Sequence, residues 1–202
     1  YHFVFDGVLP FFLLMQRHTS KQRWIVRLDH GAVFAEQFAA IFSDVDIEYV
    51  EKARLSEGGD VATVHLRKLG FPFPAIFGRS ARKLQAYVWE RFSIKQNPPH
   101  VLLFVVRKPW QPHASKGGHG AARRSLANEE EISAFLEEAA SNFGLEYQQC
   151  SPEELTIAEE VQVFASTRVL VAQNGSGMAG MLWMMPEAHV LEIGPPSPGK
   201  GK

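Results

Sequence analysis

Apolar residues recur along this chain with two periods, and the switches between them mark out its elements. Residues 1–18 set aromatic and aliphatic side chains around one polar seam, which predicts a mostly buried helix bent at Pro10. Residues 24–28 read as a short strand, and 31–42 as a helix with Val33, Phe34, Phe38 and Ile41 on its apolar face. Residues 47–50 and 61–66 have strand character, separated by the turn Glu57-Gly58-Gly59-Asp60. Residues 80–92 return to helical spacing through Leu84, Val88 and Phe92.

The pattern becomes more regular beyond Asn97-Pro98-Pro99-His100, whose paired prolines favour a stiff, extended linker. Residues 101–106 form an unbroken apolar run, as a strand buried on both faces requires. Residues 129–142 predict a helix with Ile132, Phe135, Leu136 and Ala139 inward, a capping box of Asn128 and Glu131, and a stop at Gly144. A weaker strand follows at 145–149, and Ser151-Pro152 with Glu154 signals a helix running to about Ala165. Val169 to Val171 is again β-branched and apolar, and leads into glycines 175, 177 and 180. A short apolar helix and a strand at 189–193 complete the series. This alternation predicts an α/β fold with parallel strands covered on both faces. The expected division is residues 1–96, residues 97–194 and a frayed tail at 195–202.

Composition changes this picture little. Of 202 residues, 46% are hydrophobic and 21% charged, and the net charge is −1, so no strong field draws the chain to nucleic acid or an anionic membrane. The single Cys150 excludes an internal disulfide framework. The apolar run from Val8 to Met15 is too short to cross a bilayer and contains a proline.

Gly175, Gly177 and Gly180 match the spacing of a dinucleotide fingerprint, where bare amides at a helix start hold phosphate. A dinucleotide oxidoreductase is the reading this spacing alone suggests, but the motif comes late in the chain and its helix is short for a crossover. Arg107 leaves a buried strand where ligands of open α/β sheets collect, and Arg123 and Arg124 follow a glycine-rich loop; guanidiniums there could fork onto a diphosphate. Glu192, on an apolar strand, needs a partner and could accept bonds from ribose hydroxyls. His2 and Asp6 stand one helical turn apart, as a general-base pair or a plain hydrogen bond would. His113 and His119 have no companions at metal-ligand spacing, so no metal site is expected. Ser176 lacks the first glycine of a nucleophile elbow.

Four blocks together resemble glycosyltransferase family 61, which includes plant xylan arabinosyl- and xylosyltransferases and the O-linked N-acetylglucosamine transferases of animals that act on EGF domains. Tyr1-His2 to Asp6 with Leu9-Pro10 is similar to the family's Tyr-His-x-x-x-Asp and Leu-Pro opening. Arg107 and the segment from Arg124 to Asn128-Glu129 resemble its Arg…Arg-x-Ile-x-Asn-Glu block. Glu159 to Phe164 resembles its Glu-Gln-x-x-x-Phe helix. Asn174-Gly175-Ser176-Gly177-Met178, with Pro186 to Glu192, resembles its His-Gly-Ala-Gly-Leu and Pro…Glu segment.

The resemblance implies a GT-B-like fold of two Rossmann-like halves, truncated at the C-terminal end, with a nucleotide sugar between them. It implies an inverting transferase that uses a nucleoside diphosphate donor, uridine diphosphate by expectation, and a hydroxyl of a glycan or glycoprotein, without metal or other cofactor. Arg107, Arg124, Asn128, Glu129, Asn174, Gly175, Ser176 and Gly177 would then surround the donor, Glu192 its ribose, and His2 or Asp6 would serve catalysis. The implied location is the Golgi or endoplasmic reticulum lumen in a eukaryote and the cytoplasm in a bacterium. Two positions depart from the family pattern: Asn174 replaces its histidine, and Gly180 replaces an asparagine. Asparagine donates a hydrogen bond but carries no proton or charge, so a catalytically silent nucleotide-binding relative is the main alternative.

Overall fold

The computed structural model describes residues 7–17, 24–26, 32–49, 74–106, 126 and 128–194. Two compact units divide the chain, Tyr1–Ser93 and Ile94–Lys202. At the division Ser93 takes a left-handed backbone conformation (φ 54°), which ends the preceding helix.

In the first unit, helix α1 (Leu9–Arg17), strand β1 (Trp24–Val26), helix α2 (Ala32–Ile41), strand β2 (Ile47–Tyr49) and helix α3 (Pro74–Arg91) follow in order. Gly7 and Val8 form a π-helical turn that runs directly into α1, so helical structure continues on the N-terminal side of Pro10 and the irregularity expected there is taken up by that turn. Helix α3 begins at Pro74, earlier than the apolar spacing from Ser80 suggested. β1 and β2 pair in parallel, Trp24 level with Ile47. An aromatic cluster packs together among the described residues of this unit. Phe11 lies edge-on to Phe42 at 4.9 Å and to Trp24 at 5.3 Å, and Phe38 sits 4.8 Å from Phe42. Such edge contacts add about 0.5–1.5 kcal/mol each beyond the area they bury. Tyr87 of α3 donates to Asp44 at 2.8 Å, and Arg91 donates to Ser43, tying α3 to the turn after α2. The strand expected at 61–66 lies outside the described residues.

Among the described residues, the second unit holds a four-stranded parallel sheet. It comprises β3 (Val101–Val105), β4 (Glu146–Cys150), β5 (Thr167–Gln173) and β6 (His189–Ile193), in the spatial order β4-β3-β5-β6. All five residues of β3 are buried, as their unbroken apolar character required. Helix α4 (Glu129–Asn142) covers one face, with Leu136 and Ala140 against Leu102, Phe104 and Val171. Gly144 (φ 66°) ends it in a Schellman turn, Leu145 N–H bonding to Ala140 O and Gly144 N–H to Ser141 O.

Two details of α4 differ from expectation. Phe135 is 69% exposed, because the buried stripe runs through Ile132, Leu136 and Ala140 and places Phe135 about 100° away from it. Asn128 caps no backbone N–H: its backbone (φ −121°, ψ 41°) is not in the extended form of a cap, and its amide instead donates to Glu131 at 3.3 Å.

On the other face, helix α5 (Ile157–Ala165) packs on a 3-10 helix, Ser176–Trp183. The start signal at Ser151-Pro152 yields only a 3-10 turn, Pro152–Glu154, since Leu155 is extended (ψ 144°). The capping box of α5 is Thr156 with Glu159: Thr156 N–H donates to the Glu159 carboxylate at 2.8 Å, and Glu159 N–H to Thr156 Oγ1 at 3.3 Å.

The short helix after β5 is tight because Gly180 lies directly against the Phe164 ring, where a Cβ would overlap Phe164 ring carbons. Gly180→Ala should therefore destabilise the unit by about 1–3 kcal/mol, measured as a lowered urea midpoint. Phe164→Leu in the same chain should restore part of that loss.

Candidate functional site

The order β4-β3-β5-β6 contains one reversal. From β3 the chain crosses outward through α4 to β4; from β5 it crosses the opposite way to β6. The connections after β3 and β5 therefore diverge at the carboxyl ends of two adjacent strands, leaving a crevice between them. Ligands of doubly wound sheets bind at this kind of switch point. Val105, the last residue of β3, is level with Cys150 of β4 and Ala172 of β5, and Ala172 with Glu192 of β6. The glycine corner leaves β5 one step above this row.

Each glycine of the corner has its own reason. Gly175 has φ 153° and ψ −163°, a conformation essentially restricted to glycine. At Gly177 an added Cβ would stand 3.1 Å from Val105 Cγ1, so this backbone lies close over the end of β3. Gly180 is required by Phe164, so the asparagine expected by the family pattern has no room there. The 3-10 helix starts at Ser176, and Met178 N–H bonds back to Gly175 O at 3.1 Å.

Asn174 and Glu192 meet directly. The Asn174 side-chain amide donates to the Glu192 carboxylate, and Asn174 N–H bonds to Ile193 O at 3.1 Å. The partner that Glu192 needed is thus Asn174, at the mouth of the corner. The premise behind that need changes, however. Among the described residues β6 is an edge strand, Val190 and Leu191 are 43% and 57% exposed, and Glu192 stands in solvent rather than on a buried strand.

Glu129 opens α4 and lies on its inward stripe with Ile132, Ser133, Leu136 and Ala140. Gln149 of β4 donates to the Glu129 carboxylate at 3.3 Å. Gln149 Oε1 accepts in turn from Ser133 at 2.9 Å and from Tyr147 at 3.1 Å, and the two hydroxyls are 2.8 Å apart. This polar layer was not anticipated from the sequence. The structure thus joins Asn174 to Glu192 beside the Gly175–Gly177 backbone, and places Asn128 and Glu129 at the start of α4. His2, Asp6, Arg107 and Arg124 lie outside the described residues, as does the side chain of Ser176.

The model of the Glycosyltransferase 61 family matches residues 1–191. The chain belongs to glycosyltransferase family 61. It is accordingly a glycosyltransferase, an enzyme class that takes a nucleotide-sugar donor and a glycan acceptor in general. Comparison with curated proteins gives no match.

This glycosyltransferase also holds a half-buried acid that the sequence reading passed over. Ile157, Glu160, Val161 and Phe164 share one face of α5, so Glu160 occupies a place in the apolar stripe. Burial raises its pKa to about 7, and the nearby Glu153 adds to the rise. The fully buried Trp183 indole Nε1 has no partner in hydrogen-bond geometry among the described residues, but it is close enough to Glu160 to favour the charged form. Burial, then the charges of Glu160 and Glu153, push the Cys150 thiol up to about 11, which keeps it protonated and unreactive.

A raised native pKa means that the folded state keeps a proton the unfolded chain releases between about 4.5 and about 7. Stability from this group is therefore greatest below that window, falls as pH rises through it, and levels off above. The melting temperature should fall across that range, and Glu160→Gln should flatten the fall and melt higher than the parent at pH 8.

Proposed function

We propose that this enzyme transfers a sugar from a nucleoside diphosphate, uridine diphosphate foremost, to a hydroxyl of a glycan or glycoprotein with inversion at the anomeric carbon. The observation that carries the reading is the switch-point crevice between β3 and β5, over which the backbone of Gly175 and Gly177 passes. A diphosphate in that crevice would meet the amides that open the 3-10 helix, with Arg107 following β3 and Arg124 preceding α4. Glu192, standing beside Asn174, suits the ribose hydroxyls.

In the reaction the acceptor oxygen attacks the anomeric carbon as the bond to the diphosphate breaks, and the diphosphate leaves with the bonding electrons. A base takes the acceptor proton, a role we assign to His2 or Asp6. Arg107, Arg124 and the amides stabilise the charge that collects on the departing diphosphate. We place the two units as the halves of a GT-B-like fold. The enzyme would work in the Golgi or endoplasmic reticulum lumen of a eukaryote, or in the cytoplasm of a bacterium.

Engagement of the Asn174 amide by Glu192 favours a second reading, a relative that binds nucleotide without transfer, because the neutral Asn174 supplies no charge to the leaving group. Hydrolysis or transfer of a radiolabelled nucleotide sugar by the purified chain would exclude it.

Loss of one guanidinium–diphosphate fork should weaken binding about ten- to a hundredfold, the equivalent of one or two charge-assisted bonds. Arg107→Ala should show that loss for uridine diphosphate in calorimetry while melting as the parent does. Unchanged affinity would overturn the assignment of the donor site.

A further inference from the structure

The amide of Gln149 is oriented by its neighbours. Three oxygen atoms, Ser133 Oγ, Tyr147 Oη and Gln149 Oε1, lie within 2.8 to 3.1 Å of one another. The two hydroxyls have one proton each and cannot donate to each other at once, so with both protons kept in this triangle at least one goes to Gln149 Oε1. The Glu129 carboxylate only accepts, so the Gln149 NH2 faces it, reaching Oε1 at 3.3 Å, and the carbonyl oxygen is left on the side of the hydroxyls. Burial raises the Tyr147 pKa, with Glu137 and Glu129 adding to the rise, so the phenol keeps the proton this arrangement uses. A chain of polarised hydrogen bonds runs from β4 to the first residue of α4.

The residues that make this chain are placed by two regular elements. Ser133 is one turn along α4 from Glu129, on the same stripe, while Tyr147 and Gln149 alternate onto the same face of β4. Phe104 of β3 is level with Gln149, so the layer sits one step below the end of the sheet. Among the described residues only Glu129 Oε1 has a partner, the Gln149 amide; Oε2 has none.

We propose that Gln149 is a positioning residue: braced by Ser133 and Tyr147, it holds one oxygen of Glu129 so that the other is presented to the hydroxyls of the bound nucleotide sugar. The inference rests on the donor-site reading above and names a residue that acts through Glu129 without touching the donor. Held at one oxygen, the carboxylate loses rotamer freedom before the ligand arrives, so less ordering accompanies binding.

The test uses the full chain and calorimetry with uridine-diphosphate sugars and with uridine diphosphate alone. Glu129→Gln and Gln149→Leu should each lower affinity for the preferred nucleotide sugar about three- to tenfold, as for one net hydrogen bond. The double variant should be no weaker than Glu129→Gln alone, because Gln149 acts only through that carboxylate. A second variant, Gln149→Glu, keeps the volume and the acceptor for both hydroxyls but faces Glu129 with a like charge. Its affinity should be weak at pH 7.5 and recover towards the parent value near pH 5, where one proton is shared between the carboxyl groups. A purely structural role for Gln149 would not produce that pH profile.

Additive losses in the double variant, or a Gln149→Glu affinity that does not depend on pH, would overturn the inference while leaving the donor site standing. Failure of the parent chain to bind any of these nucleotides would instead remove the donor-site reading, and the inference with it.

Discussion

The parallel pairing of β3 with β5 is the contact on which the rest of the Ile94–Lys202 unit depends. The two strands are distant in sequence, and all of β4 and both crossover helices lie between them. Their side chains make the pairing worthwhile: Val101–Val105 is buried throughout, and Leu170, Val171 and Ala172 are buried beside it. Once adjacent, they force the chain to leave in opposite directions at their carboxyl ends. The crevice is thus a topological consequence of core burial and needs no polar residue to create it.

Much of this was legible in the sequence. The unbroken apolar run of β3, the glycines after β5 and the stop at Gly144 are local signals, and each appears where the physics of a single element puts it. What misled was phase. Phe135 is a large apolar residue beside Leu136, and composition alone cannot say which of two neighbours on a helix points inward. The helix start at Ser151-Pro152 likewise gave way to Thr156, because an extended Leu155 separated the two signals.

The candidate site was legible in its residue types more than in its connections. The sequence marked Asn174 and Glu192 separately, but only the parallel register of β5 and β6 brings them together. Gln149 and Ser133 were silent because an exposed glutamine and a helical serine carry no signal until a strand and a helix face each other. Glu160 did carry one, an acid within an apolar stripe, which its place in a recognisable family block obscured. The two departures from the family pattern also separate here: Gly180 answers to packing, whereas Asn174 answers to a neighbouring carboxylate.

The edge position of β6 leaves the strand that carries Glu192 less firmly held than β3 and β5, which flank the crevice. β3 is held on both sides by neighbouring strands, whereas β6 is bonded to β5 and carries exposed Val190 and Leu191. Local opening of an edge strand needs far less free energy than global unfolding, so its hydrogen bonds can open without exposing the strands inside the sheet. A ligand that spans the crevice and also engages Glu192 must hold β6 closed, and part of its binding energy goes into suppressing those openings. Affinity at such a site therefore reports how often that soft edge is in place, as well as how well the ligand fits.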